Sequence, residues 1–410
     1  MSGPFGSNQF FGVAAADAGW VPKGAIWLDG GGPDYLTRTP GSAGNRRTYT
    51  RSGWIKLAKI DASQLIWAAG TSQVDYLTVD NGANIQIVGV DGGSSAIDTT
   101  AVYRDPTAWM HIVWVTDTTD PVGADRVRLF INGVRVTDFA TYNAPTLNAE
   151  SNTNNTVAQN IGVDSYDNSS SPCYMYLSEI ILLDGYAASP SDFGTEDSNG
   201  VWIPKDPTDT VTDNKGTNGY WLDFADSSDL GNDVSGNNND HTLSSITSAN
   251  WTYDRPADDK SSTTGNLCTW NVVGSEADSS ATIGEGNTKI TGGGGGVVIL
   301  GTIAVDATDS DGYYFRVKVD ACNNNGYPFI GIHTANGLHH TGRGTSFIGT
   351  SNEGWSISGG TGSNNGKPFH GSGTGGTQLF TFADGDYVDV CIKAGKLYFG
   401  QDGTWSGDPD

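Results

Sequence analysis

The sequence predicts an all-β protein: two antiparallel β-sandwich (jelly-roll) domains joined by an acidic, Asn/Gly-rich segment. Three observations carry this expectation. Short runs in which apolar and polar residues alternate recur along the chain, bounded by Gly, Asn, Asp and Pro, as half-buried strands and tight turns require. Gly occupies 57 of 410 positions, about twice the usual share, and helical periodicity is almost absent. The stretch 109–136 holds three consecutive strands. An apolar run over 109–115 is broken only by His111. Val127, Leu129 and Ile131 then alternate with Arg126, Arg128 and Phe130, and the pattern resumes at Val134 and Val136 after Asn132-Gly133. Asn-Gly between alternating runs reads as a type I′ turn, because both central residues need positive φ.

In chain order, residues 1–23 carry Phe5, Phe10, Phe11 and Trp20 among small residues without a period, which suits a segment docked on other protein. Strands are expected at 25–29, 35–38, 48–57, 65–69, 76–79, 85–90 and 95–103, then the three above, then 157–163 and 173–183. Together they make a first sandwich over residues 24–195. Residues 196–263 turn acidic and Asn/Gly-rich, with short apolar islands at 201–203 and 220–224, and are expected to connect two domains. A second sandwich is expected over 264–410, with strands at 281–284, 288–290, 297–300, 313–319, 327–334, 354–358, 387–392 and 396–399.

The wording of these segments adds a resemblance. YLTRTPGSAGNRRTYTRSGWIKL, RDPTAWMHIVWVTD, RVRLFINGVRV and YLSEIILLDGYAASPSDFG follow in order, and residues 24–195 resemble the laminin-G-like branch of the concanavalin A-like lectin/glucanase fold. FFG near the start and TPGSAGNRRTYT after it resemble virion proteins of tailed phages, marine ones especially. GYWLDFADSSDLGNDVSGNNNDHT is similar to the opening of a further laminin-G-like unit, with no complete domain behind it. YYFRVKVDA, YPFIGIHT, GWSISGGTGSNNGKPFH and FADGDYVDVCIKAGKLYFGQDGTW resemble a SPRY-type sandwich, with Asp402 where that family usually has Asn. The SPRY resemblance implies one further strand after Trp405. The natural chain is therefore expected to continue past Asp410, unless a neighbouring subunit or the residues around 292–300 fill that edge.

Lys+Arg 22 against Asp+Glu 46 gives a formal charge of −24, spread along the chain. Such a surface repels phosphate backbones and anionic membranes, which argues against nucleic-acid binding. No apolar run approaches a membrane span, and the first residues lack the basic region of a signal peptide. The expected life of the chain is synthesis in a host cytoplasm and residence on the outer surface of a virion, without membrane insertion. Cys173, Cys268, Cys322 and Cys391 have no paired spacing, so isolated buried thiols are expected, with a meeting of Cys322 and Cys391 left open.

The lectin/glucanase resemblance raises hydrolysis first. Glycosidases place two carboxylates on one face of the sugar bond. The best candidate here, Glu179 with Asp184, has an odd separation that puts the side chains on opposite strand faces unless a bulge intervenes. His339 and His340 are adjacent and would point apart in a strand, His111 sits in a core strand, and the run 292–296 lacks the Lys-Ser/Thr of a phosphate loop. No catalytic site is expected. Binding is better supported: residues 334–377 are rich in Gly, Ser, Asn and His with aromatics between, a composition that solvated loops over core aromatics would also show. The candidate ligand-binding residues are His339, His340, Arg343, Trp355, Asn364 and His370. Asp223, Asp226, Asp229 and Asp233, with Asp240 behind them, are oxygen-rich candidates for calcium, although their spacing is not that of an EF-hand and acidic surface turns are commoner.

The expected function is therefore a non-enzymatic virion protein, a fibre or capsid-decorating subunit that presents lectin-like domains to a host glycan or protein. Its expected partners are other virion proteins, through the N-terminal segment, and further copies of itself, as a trimer for instance. A bacterial surface or secreted carbohydrate-binding adhesin is the second reading, and a glycan hydrolase the third.

Overall fold

The computed structural model describes residues 20–30, 32, 34–72, 74–93, 95–257, 265–272, 281–292, 299–321, 328–334, 348, 352–359, 363–371, 376–407 and 409. The chain divides into two units, Met1–Val272 with Gly284–Lys289, and Val273–Ile283 with Ile290–Asp410.

The first unit opens with β1 (Ala25–Asp29), β2 (Tyr35–Arg38), β3 (Thr48–Leu57), β4 (Gln64–Ala69), β5 (Asp75–Val79), β6 (Asn84–Val88) and β7 (Ala96–Val102). β8 (Met110–Asp117), β9 (Val127–Ile131), β10 (Val134–Arg135), β11 (Phe139–Asn143), β12 (Gln159–Ile161) and β13 (Tyr174–Asp184) follow. β14 (Gly194–Glu196), β15 (Trp202–Pro204), a short helix α1 (Thr208–Asn214), β16 (Tyr220–Leu222), β17 (Thr242–Ser244) and β18 (Trp251–Thr252) complete it. Two antiparallel eight-stranded sheets result, with β14 and β15 paired as a separate ribbon. One has the order β10-β9-β8-β3-β13-β1-β18, with β16 also on β13; the other runs β11-β7-β6-β5-β4-β12-β2-β17. Alternation explains the core between them: Ile26, Leu28, Ile55 and Trp114 from the first sheet meet Leu36, Trp67, Leu77 and Ile87 from the second. The β9–β10 turn is the expected one, with Asn132 at φ 47 and Gly133 at φ 78.

The described part of the acidic segment, residues 196–257, is built into the first unit. β16 pairs with β13, β17 with β2 and β18 with β1, so the acidic segment supplies edge strands to both sheets. Its apolar islands are too short to read as strands alone. The open backbone edges of β13, β2 and β1 make them so, since buried N–H and C=O groups must pair. The outer face of the first sheet is covered as well, which is why all but the first of the eleven residues of β13 are buried. Val113, Val115, Ile181 and Leu183 pack there against Phe193, Val211 and Trp221. Next to them Lys56 is buried in an ion pair with Asp254 (2.9 Å), and its other two donors go to Asn266 Oδ1 at 2.9 Å and the Leu267 carbonyl at 2.8 Å.

β13 carries a β-bulge. Its register against β3 shifts between Ser178 and Ile181, and Glu179 takes φ 51. The extra residue reverses the phase of the strand, so that Met175 and Leu177 before it, and Ile180 and Leu182 after it, all face the inter-sheet core.

Two strands lie at the chain crossing between the units, β19 (Thr282–Gly284) and β20 (Lys289–Thr291), paired as a ribbon. The expected strand at 297–300 is not formed at 299–300, and 297–298 lie outside the described residues. The second unit contains β21 (Tyr313–Lys318), β22 (Phe329–His333), β23 (Gly354–Ser358), β24 (Pro368–His370), β25 (Tyr387–Lys393), β26 (Lys396–Gln401) and β27 (Thr404–Trp405). They form a four-stranded sheet β21-β25-β26-β27 and a three-stranded sheet β22-β23-β24, with Val319, Ile330, Ile357, Phe382, Val388, Val390 and Phe399 as core. The protein is all-β, as expected.

Candidate functional site

Trp355 and His370 face each other across β23 and β24. They continue the core-facing row set by Ile330 and Ile357 toward the end of the sheet, where Trp355 is half-buried and His370 exposed. The rings stack almost parallel, centroids 4.4 Å apart at 6°. His370 Nδ1 lies 3.0 Å from the Gly354 carbonyl. A carbonyl only accepts, so Nδ1 carries the proton and the neutral ring presents Nε2 as an acceptor. A flat aromatic surface beside one ring acceptor can stack a sugar ring and take a hydrogen bond from a hydroxyl.

Asn364 is exposed but lies in the 363–366 turn at the closed end of the β23–β24 hairpin, whereas Trp355 and His370 lie toward its open end. His339, His340 and Arg343 lie outside the described residues.

The four candidate calcium ligands are not gathered. Among the described residues no group of three or more His, Cys, Asp or Glu side chains is arranged to hold a metal. Asp223 pairs with Lys23 at 3.1 Å, and Asp226 closes its own turn onto Ser228. Asp229 closes a backbone turn onto Asp226. Asp233 is buried and accepts from Trp221 N, Ser235 N, Ser235 Oγ and Asn239 N, all at 2.9 Å. The acidic pattern serves turn formation, with carboxylates accepting backbone N–H groups.

The carboxylate pair considered for hydrolysis does not converge, because Glu179 is itself the bulged residue and turns to the outer face while Asp184 is held by its own partners at the strand end. Asp184 accepts from Asn45 N (2.6 Å), Asn154 Nδ2 (3.0 Å), Thr217 N (3.1 Å) and Asn218 N (2.9 Å), and so ties the acidic segment to the end of β13. Glu179 is buried on the outer face, where its Oε2 accepts from Trp221 Nε1 at 2.9 Å and its Oε1 has no hydrogen-bond partner. Burial first, then the nearby Asp223, pushes its pKa up to about 8. The crevice it lines with Ser52, Phe193 and Lys205 has no room for a water molecule.

Sequence reasoning missed a Ser–His pair on the same face. Ser52 Oγ lies 2.9 Å from His111 Nε2, the spacing of a nucleophile and its base. Trp202 Nε1 donates to His111 Nδ1 at 3.1 Å, however, and an indole N–H only donates. The neutral ring therefore carries its proton on Nε2 and gives it to Ser52, the reverse of what a general base needs. Trp54 stacks on the imidazole at 4.7 Å, and burial lowers its pKa to about 3. His111 is a structural hub. The distance from Ser52 to His111 in sequence hid the pair; only the β3–β8 register brings them together.

Residues 29–181 match the family model Laminin_G_3, described as the concanavalin A-like lectin/glucanases superfamily. Within the first unit, residues 29–181 are thus similar to concanavalin A-like lectin domains, on a match that spans less than half of the chain. Solved structures similar to the chain include a suspected carbohydrate binding protein from Bacteroides ovatus (TM-score 0.41, 14% identity, 58% of this chain and 61% of that chain). Others are mouse laminin alpha1 chain domains LG4-5 (TM-score 0.36, 10% identity, 98% and 81%) and a heptameric SAP-like pentraxin from Limulus polyphemus (TM-score 0.31, 17% identity, 41% and 78%). The chain thus spans about three-fifths of the Bacteroides ovatus protein's length. No curated protein matches.

Proposed function

We propose that this protein is a non-catalytic glycan-binding protein, a fibre or capsid-decorating subunit on the outside of a tailed-phage particle. The observation that carries the binding reading is the Trp355–His370 stack, an aromatic platform with a ring acceptor at the exposed end of a sheet. The lectin-type domain in the first unit supports the same class of ligand. Attachment in the virion rests on the wording of the N-terminal third, FFG followed by TPGSAGNRRTYT, with residues 1–23 as the docking segment to other virion proteins and the chain acting as a homo-oligomer.

Hydrolysis is disfavoured by the tautomer of His111 and the closed crevice beside Glu179. A glycan array probed with the full chain tests the binding reading. Retention of a subset of glycans, lost in His370→Ala and Trp355→Ala while the melting temperature of His370→Ala stays unchanged, is the expected result. Steady release of reducing sugar from any retained glycan would overturn it. Proteomics of purified particles tests the location, the expectation being the chain in stoichiometric amount.

A further inference from the structure

The outward face of the sheet β21-β25-β26-β27 carries a second aromatic array, built from none of the residues considered so far. Alternation sends Phe315, Val317, Val388, Val390 and Phe399 to the core. It leaves Tyr314, Arg316, Tyr387, Asp389, Gly400 and Trp405 in register on the opposite face. Tyr314 is 54% exposed and Tyr387 38%, yet Asp389 beside them is fully buried. Its carboxylate is engaged from three sides: Oδ1 accepts from Tyr314 Oη at 2.5 Å and Arg316 Nε at 2.6 Å, and Oδ2 from Gly403 N at 2.7 Å. The guanidinium of Arg316 lies 5.2 Å from the Tyr387 ring and 6.0 Å from the Tyr314 ring. Trp405 meets Tyr314 edge to face at 6.0 Å. Gly400 makes room for it, since a Cβ there would come within 3.1 Å of the Trp405 ring.

Two features of this array point to a ligand. Large rings left half in water on rigid strands add nothing to the core, whereas their faces are held ready for contact at little entropic cost on binding. The buried Asp389 fixes Tyr314 and Arg316 at once, and the arginine spends only its Nε on the bond, one of five N–H donors. We propose that this face is a second saccharide-binding site, taking a neutral sugar ring on Tyr314, Tyr387 and Trp405 with its hydroxyls on Arg316. Neutrality follows from the local charges: Asp389 offsets Arg316, and Asp320 pairs with Lys318 at 2.8 Å. The chain's formal charge of −24 further disfavours an anionic polymer. The ligand class rests on the glycan-binding reading above; the residues do not.

Affinity electrophoresis of the full chain through gels containing a neutral glucan, mannan or galactan, beside alginate as the anionic control, tests the proposal. Retardation by a neutral polymer, unchanged by added salt and weakened at least about tenfold in Tyr314→Ala/Tyr387→Ala, is the expected result. Tyr387→Ala, which removes one ring and none of the hydrogen bonds to Asp389, should by itself weaken retardation without lowering the melting temperature, whereas Arg316→Lys gives up the Nε bond to Asp389 together with the planar fork. Retardation abolished by His370→Ala alone and untouched by the tyrosine variants overturns this face and leaves the first site standing. Retardation only by alginate, lost with salt, overturns the neutral ligand, and no retardation by any polymer overturns both sites.

Discussion

Two side chains on the outer face of the first sheet respond to pH in opposite directions. Glu179 has its pKa raised to about 8 by burial and by Asp223, so the folded state holds a proton that the unfolded chain releases near the ordinary carboxylate range. Its contribution is fully present at low pH and is lost as pH rises toward about 8. His111, lowered to about 3 by burial, must stay neutral, so its contribution is present above the ordinary imidazole range and is lost as pH falls toward about 3. Glu179→Gln should therefore flatten the alkaline side of the stability profile and leave the acidic side as it was. Urea unfolding at pH 5 and pH 9 reads this directly, and an unchanged difference between the two would refute the assignment. At Gly133 the backbone itself is at stake: φ is 78, and a Cβ would stand 2.5 Å from the Trp202 ring. Gly133→Val is expected to lower stability by about 2 kcal/mol or more, read as a lower urea midpoint.

At the scale of elements, β13 decides how the first unit is built. It pairs with β3 along one edge, and its other edge is divided between β1 and β16, on either side of the bulge at Glu179. The acidic segment is thereby a structural part of the sandwich, and its removal should unfold the unit. The Lys56–Asp254 pair ties the same region down from the outer face, with every donor of the ammonium used. Lys56→Ala leaves Asp254 buried and uncompensated, and should cost about 3–5 kcal/mol in the unfolding free energy. The aspartates between 223 and 233 already accept N–H or ammonium donors or close turns, so a chelator is expected to leave the melting temperature unchanged. A fall of several degrees on adding EDTA would restore the calcium reading.

For the whole molecule, the proposed virion role makes the N-terminal segment separable from the sandwich. Deleting residues 1–19 should leave the melting of the first unit unchanged and abolish co-sedimentation with particles; normal incorporation of the truncated chain would refute the docking role. The strands themselves were largely legible. Alternation placed Ala25–Asp29, Tyr35–Arg38 and Thr48–Leu57 at their observed bounds, and Asn132-Gly133 specified its own turn, because period and turn chemistry are local properties of the chain. The pairing of Trp355 with His370 was half legible: composition suggested the residue types, and strand register brought the two rings together. What remained hidden depends on contacts between residues far apart in sequence. The docking of Asp254 on Lys56 (198 residues apart) and the Trp202 bond that sets the tautomer of His111 exist only once the sheets have formed. So do the bulge at Glu179 and the gathering of Tyr314, Tyr387 and Trp405 over Asp389. Local pattern determined which residues form strands and which face of each is apolar. Tertiary structure decided which strands are neighbours, and with that which polar groups are satisfied, which are buried, and which side chains share a surface.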